Sequence, residues 1–169
     1  YTLAGTPTIT APTINTATLA GSINQDYKVL AATAAYTSND VPAAITGFSW
    51  TVVAGTYAFD VELPTTMSTN GGLELSFVLT TAVLTSIRYN TYAATASDNT
   101  TAVATTGTTT ASTTKVFDSK TAAYTTVRVT GSMVVGTGGT FAWFGCQETS
   151  HADTTSVLIG STARMTRVS

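Results

Sequence analysis

The residues able to do chemistry are few and scattered. The chain holds one cysteine and one histidine, Cys146 and His151. A thiol and an imidazole can pair as nucleophile and base. Cys146, however, follows Trp143-Phe144-Gly145, where a cysteine packs as a small hydrophobe. His151 stands in Glu148-Thr149-Ser150-His151-Ala152-Asp153, a polar, turn-forming stretch, and reads as a solvated loop residue. These two residues cannot complete a tetrahedral zinc set, so no metal and no cofactor is expected. A lone cysteine also excludes a scaffold stapled by intramolecular disulfides.

The carboxylates give no clearer centre. Glycoside hydrolysis takes two carboxylates across a cleft, roughly 5 to 9.5 Å apart. Asp60 and Glu62 share one face of an extended run and alternate with Tyr57, Phe59, Val61 and Leu63, the pattern of a strand's wet side. With Asp118 they would serve a depolymerising enzyme, the least favoured reading. No Gly-x-Ser-x-Gly elbow occurs. Gly136-Thr137-Gly138-Gly139 lacks the Lys-Ser/Thr of a phosphate loop and sits between two strands, as a hairpin turn would. No catalytic residue is assigned, and the chain reads as non-enzymatic.

Arg88, Arg128, Arg164 and Arg167 carry most of the positive charge. Arg164 and Arg167 are three apart on a strand and point to opposite faces. Pairing with a carboxylate such as Asp118 or Glu62 of another chain is favoured over gripping an acidic sugar. Trp50 and Trp143 lie within apolar strands and are expected in the core. If a glycan or surface protein is bound, Tyr36, Tyr89 and Tyr92 are expected to be exposed and to face it, together with Asn99 and Thr100 in a neighbouring loop. Asn99-Thr100-Thr101 fits a glycosylation sequon, which arises easily by chance in so threonine-rich a chain.

The elements that must position these residues are strands. From Phe48 to Val52, Tyr57 to Leu63, Leu73 to Leu79, Leu84 to Tyr92 and Tyr124 to Val135, apolar residues alternate with polar ones. Further runs cover Tyr27 to Ala35, Thr140 to Glu148, Ser156 to Ile159 and Thr162 to Val168. About nine period-two runs result, divided by turns such as Ala54-Gly55 and Asn70-Gly71-Gly72. No window has helical spacing with caps. Short, numerous strands predict an all-β sandwich. The low-complexity stretch Ala93 to Lys115 is either a long exposed loop or a weak strand pair at a rim.

Residues 1–23 differ. They repeat a Thr-aliphatic pair at Thr2-Leu3, Thr8-Ile9, Thr13-Ile14 and Thr18-Leu19, and Pro7 and Pro12 exclude a continuous helix. An odd period in extended chain sends successive aliphatics to opposite faces. Threefold winding around an axis would bury both sets; a disordered Thr-Pro linker is the alternative. The chain thus divides into a shaft or linker over 1–23 and one domain over 24–169.

Composition limits the partners. Of 169 residues, 40 are threonine and only 9% are charged, with a net charge of −2. Seven scattered cations make no basic footprint for nucleic acid. No apolar run approaches the ~20 residues of a membrane helix, so no membrane insertion is expected. Tyr1-Thr2-Leu3 has neither the basic nor the apolar region of a signal peptide. A mean hydropathy of +0.23 with so little charge leaves a monomer poorly protected against association. An interface of ~1,000 Å² per chain would contribute on the order of tens of kcal/mol gross.

Two stretches resemble a known family. Thr2-Leu3 through Pro7-Thr8-Ile9, Pro12-Thr13-Ile14-Asn15 and Thr18-Leu19 is similar to shaft repeats of tailed-bacteriophage fibres. Val52-Val53-Ala54-Gly55-Thr56-Tyr57-Ala58-Phe59-Asp60-Val61 and Gly160-Ser161-Thr162-Ala163-Arg164-Met165-Thr166-Arg167-Val168 resemble strands of the jelly-roll heads of phage structural proteins. The resemblance implies a TNF/C1q-like jelly-roll β-sandwich behind a short β-shaft, assembled as a homotrimer on the virion surface, with no shared catalytic residues. Ile9, Ile14, Leu19, Arg164 and Arg167 are then the expected trimer contacts. Other virion proteins, of tail or capsid, and a host surface glycan or protein are the expected partners. A fibre tip that reads a receptor is preferred to a capsid decoration protein. A monomeric secreted adhesin or carbohydrate-binding module is the alternative from another class.

Overall fold

The computed structural model describes residues 24–95, 105–109, 113–119 and 124–169. The segment expected to form a shaft, with Ile9, Ile14 and Leu19, and the residues Asn99 and Thr100 lie outside them. The described residues form strands and no helix: β1 (Asn24–Val29), β2 (Ala34–Thr37), β3 (Ala43–Val52), β4 (Gly55–Thr66), β5 (Leu73–Thr80), β6 (Val83–Thr95), β7 (Thr105–Thr109), β8 (Thr113–Ser119), β9 (Tyr124–Thr137), β10 (Gly139–Cys146), β11 (Thr154–Val157) and β12 (Thr162–Arg167).

Two antiparallel sheets result. The larger runs β1-β12-β4-β9-β6-β7, with β11 joining the end of β4 and β2 pairing β11. The smaller runs β3-β10-β5-β8. The pairs β1/β12, β3/β10, β4/β9 and β5/β8 are nested in sequence, outermost with outermost. That nesting, split between two sheets, is the jelly roll. The β6–β7 hairpin is inserted between β5 and β8 and widens the larger sheet beyond β9.

The alternation seen in the sequence sets the packing. Tyr57, Phe59, Val61 and Leu63 of β4 and Val127, Val129, Met133 and Val135 of β9 are all buried, as are Leu73, Leu75, Phe77 and Leu79 of β5. Trp50 and Trp143 join them, as expected. Phe141 stacks on Phe77 at 5.7 Å, and Phe59 meets Trp143 edge-on at 6.1 Å. Gly131 sits opposite Phe59 on β9, and a Cβ there would strike the Phe59 ring and the Arg88 carbonyl. The glycine makes room for the ring.

Three expectations change. Gly136-Thr137-Gly138-Gly139 is not a hairpin: β9 pairs β4 and β6, whereas β10 pairs β3 and β5. Its turn passes from one sheet to the other, and a Cβ on Gly138 would lie 2.8 Å from the Val52 carbonyl oxygen. A tight turn between alternating runs looks the same in sequence whichever sheet receives the next strand. Second, the run from Tyr27 to Ala35 breaks into β1 and β2. Third, of the two readings of the low-complexity stretch, strands at a rim come nearer, though not as a pair: it contributes the end of β6, β7 and the start of β8. The two strands lie on different sheets, each at an edge.

Candidate functional site

The strand directions divide the surface into two ends and two outer faces. Asn24 pairs with Arg167 at the start of β1, beside the turns at 53–54, 81–82 and 138. The chain after residue 23 therefore enters at this end. The opposite end carries the loops 38–42, 67–72 and 147–153.

The outer face of the larger sheet can be read in rows across the ladder. One row is Val29, Thr162, Glu62, Arg128 and Tyr92; the next is Tyr27, Arg164, Asp60, Thr130 and Asn90. Arg128 donates to Asp60 twice, from Nε at 3.0 Å and Nη2 at 2.8 Å, and Arg164 Nη2 adds a longer contact at 3.4 Å. The Arg128 hydrogen bonds hold the Asp60 carboxyl below its ordinary range. Around this ion cluster the face is mainly threonine and apolar, with Glu62 and Arg88 as further exposed charges. Tyr27 is 59% exposed, Val29 52%, Tyr92 43% and Val134 37%. No strand residue of the smaller sheet is among the exposed large apolar side chains.

The far-end loops are tied together by one side chain. Gln147 is fully buried. Its Oε1 accepts the backbone N–H of Asn39 at 3.0 Å and of His151 at 3.1 Å, and its Nε2 donates to the Asp153 carbonyl. The Gln147 amide also packs on Gly71, whose carbonyl accepts from Thr149 N at 3.0 Å. Three loops thus share one anchor. Asp153 adds a second tie, accepting from Ser68 Oγ and Asn70 Nδ2, which hold its carboxyl below the ordinary range.

At the entry end, a cleft of about 460 Å³ opens between β1 and β3, lined by Gln25, Asp26, Trp50, Tyr57, Met165 and Arg167 among others. The Lys28 ammonium lies 5.2 Å from the Trp50 ring centroid. Among the described residues no group of three His, Cys, Asp or Glu side chains is placed to hold a metal ion.

Of the residues expected to face a receptor, Tyr92 is on the surface, whereas Tyr36 and Tyr89 are not: they are 6% and 8% exposed. Tyr36 packs its ring on Gly145, and burial pushes its hydroxyl up to about 12. Tyr89 sits on the inward parity of β6, and its hydroxyl donates to the Lys115 carbonyl at 3.3 Å. Tyr36 stands in a run of Ala and Thr, where the buried parity is hard to read; Tyr89 shares the parity of Ile87, and its burial follows from the alternation of β6.

Arg164 and Arg167 do leave opposite faces of β12. Arg164 joins Asp60 of its own chain, and Arg167, at the strand end, donates to the Ala54 carbonyl at 2.9 Å. Within the chain, Asp118 pairs Lys115 on the outer face of the smaller sheet, whereas Asp60 and Glu62 lie on the larger sheet, so these three share no cleft. Cys146 is buried, as its apolar neighbours implied, and desolvation pushes its thiol up to about 12. His151 is a half-exposed loop residue whose Nδ1 accepts from the Asp153 N–H. Gln147 went unseen in the sequence, where a single amide after an apolar strand carries no pattern.

No family model matches the chain, and no curated protein matches it. Among solved structures, the TNF protein Eiger of S. frugiperda aligns at 9% identity over 87% of this chain and 93% of its own, with a TM-score of 0.43. The VP2 subviral particle of infectious bursal disease virus aligns at 13% identity over 86% of this chain and 40% of its own, with a TM-score of 0.23. At such values the fold assignment rests on the nested strand pairs.

Proposed function

We propose that this chain is a non-enzymatic head module on the surface of a tailed-phage virion, working as a homotrimer behind a shaft made by residues 1–23. At a tail-fibre tip, the far-end loops would read a host surface glycan or protein. The observation that carries the reading is the larger sheet's outer face, with Tyr27, Val29, Tyr92 and Val134 exposed around one internally satisfied ion cluster. A face rich in threonine and apolar side chains suits packing against sister copies, with Glu62 and Arg88 as the charges that a partner must pair. The entry of the chain at one end and the anchored loops at the other suit a head on a stalk.

One argument for association falls away. The aliphatic strand faces are buried between the chain's own two sheets, so among the described strands the outer face of the larger sheet is the surface we assign to a partner. The test is substitution there: Val29→Lys with Tyr92→Glu should lower the mass in solution to that of a single chain while the far-ultraviolet spectrum stays that of a β-protein. If the double variant keeps the wild-type oligomer, this face is not the interface. Gold-labelled antibody on whole particles separates the fibre tip from the alternative, a capsid decoration protein.

A further inference from the structure

The loop between β4 and β5 contains Asn70-Gly71, and Asn70 is exposed to water. An asparagine side chain can approach the next backbone nitrogen most easily when that residue is glycine, which has no Cβ in the way. Ser68 Oγ accepts the N–H of Gly71 at 3.2 Å and of Asn70 at 3.0 Å. Its own hydroxyl donates to Asp153 Oδ2 at 2.9 Å, and that same oxygen accepts from Asn70 Nδ2 at 2.8 Å. Gly71 N, Ser68 Oγ, Asp153 Oδ2 and Asn70 Nδ2 therefore form one relay. It starts on a nucleophile and ends on a leaving group. Gly72 N bonded to the Ser68 carbonyl and the Gly71 carbonyl bonded to Thr149 N hold the peptide in place.

We infer that Asn70-Gly71 is a self-modifying site, at which Asp153, acting through Ser68, converts Asn70 to an acidic residue. Gly71 N bonds to Asn70 Cγ and closes a succinimide. The Gly71 proton passes to Ser68 Oγ as the Ser68 proton passes to Asp153, which hands it to Asn70 Nδ2. The Cγ–Nδ2 bond breaks and ammonia leaves. Water then opens the imide at either carbonyl, giving aspartate or isoaspartate, with no change of oxidation state.

The product matters to the loops. A new carboxylate faces Asp153 where a donor stood, and like charges at that range repel. Isoaspartate also lengthens the main chain beside Gln147, which packs on Gly71. Modification would loosen the shared anchor of three loops. This inference stands whether or not the far end binds a receptor.

The test follows the Asn70 peptide by mass spectrometry as the purified chain ages at neutral pH, reading amide-to-acid conversion and the separately eluting isoaspartyl form. The intact fold should convert Asn70 faster than the same chain in urea, by about ten-fold or more, modest against the roughly 10²–10⁴ that a positioned acid–base group contributes. Asp153→Asn and Ser68→Ala, checked for folding by near-ultraviolet circular dichroism, should slow it towards the unfolded rate. The opposite sign overturns the inference: equal or slower conversion in the folded chain, or faster conversion in either folded variant, would mean that the bonds only clamp Asn70. The comparison of folded with urea-treated chain needs no variant to fold.

Discussion

Replacing Gln147 with leucine fills a similar volume but removes the polar atoms that tie the 38–42 loop to the 147–153 loop. The Asn39 and His151 N–H groups lose their shared acceptor, and the Asp153 carbonyl loses a donor. Each buried backbone group left without a partner costs about 1–3 kcal/mol. Asn39 and His151 are half-buried, so water recovers part of this, and the expected loss is about 3 kcal/mol in all. For a chain of this length that lowers Tm by about 6–12 °C, compared at one protein concentration because association also shifts Tm. Gln147→Glu should be worse at neutral pH. It keeps the acceptor, sets an oxygen against the Asp153 carbonyl and buries a charge. Hydrogen exchange gives the local reading: the Asn39 and His151 amides should lose protection before the β4 and β9 amides do. If Gln147→Leu changes stability by less than about 0.5 kcal/mol, as an ordinary surface substitution does, and those amides stay protected, Gln147 is not the anchor.

Gly131→Ala should cost about 1–3 kcal/mol through overpacking against Phe59, seen as a lower urea midpoint with an unchanged slope. Cys146 should resist alkylation in the folded chain, where burial pushes its thiol up to about 12, and react fully once denatured; quick labelling of native protein would contradict its burial. The Arg128 hydrogen bonds hold the folded Asp60 carboxyl below its ordinary range. A depressed carboxyl contributes stability that is whole above its unfolded value and is lost as pH falls through the folded one. Asp60→Asn should therefore flatten the loss of stability below about pH 4. Its effect at neutral pH should stay under about 1 kcal/mol, since the pair is partly exposed.

The strands were legible where large side chains alternate with polar ones. Tyr57 to Leu63 and Val127 to Val135 predict β4 and β9 and their buried faces. Where the chain is Ala and Thr, as around β7 and Tyr36, the contrast that reveals parity is missing; at Tyr89 the alternation with Ile87 is readable and points inward, as found. Connectivity was less visible still. Gly138 and Gly72 sit in turns that cross between sheets, and only the pairing of distant strands shows it. The ion cluster was half readable: Asp60 could be assigned to a wet face, but its partners Arg128 and Arg164 are 68 and 104 positions away. Gln147 and the Ser68–Asp153 relay depend on loops meeting in space, for which one sequence holds no signal.

The central claim is that the outer face of the larger sheet recruits two further copies of this chain. Light scattering on the full chain at micromolar concentration tests it most directly. The account predicts a particle of three times the 17.4 kDa chain mass. A folded, soluble species of one chain mass would contradict it.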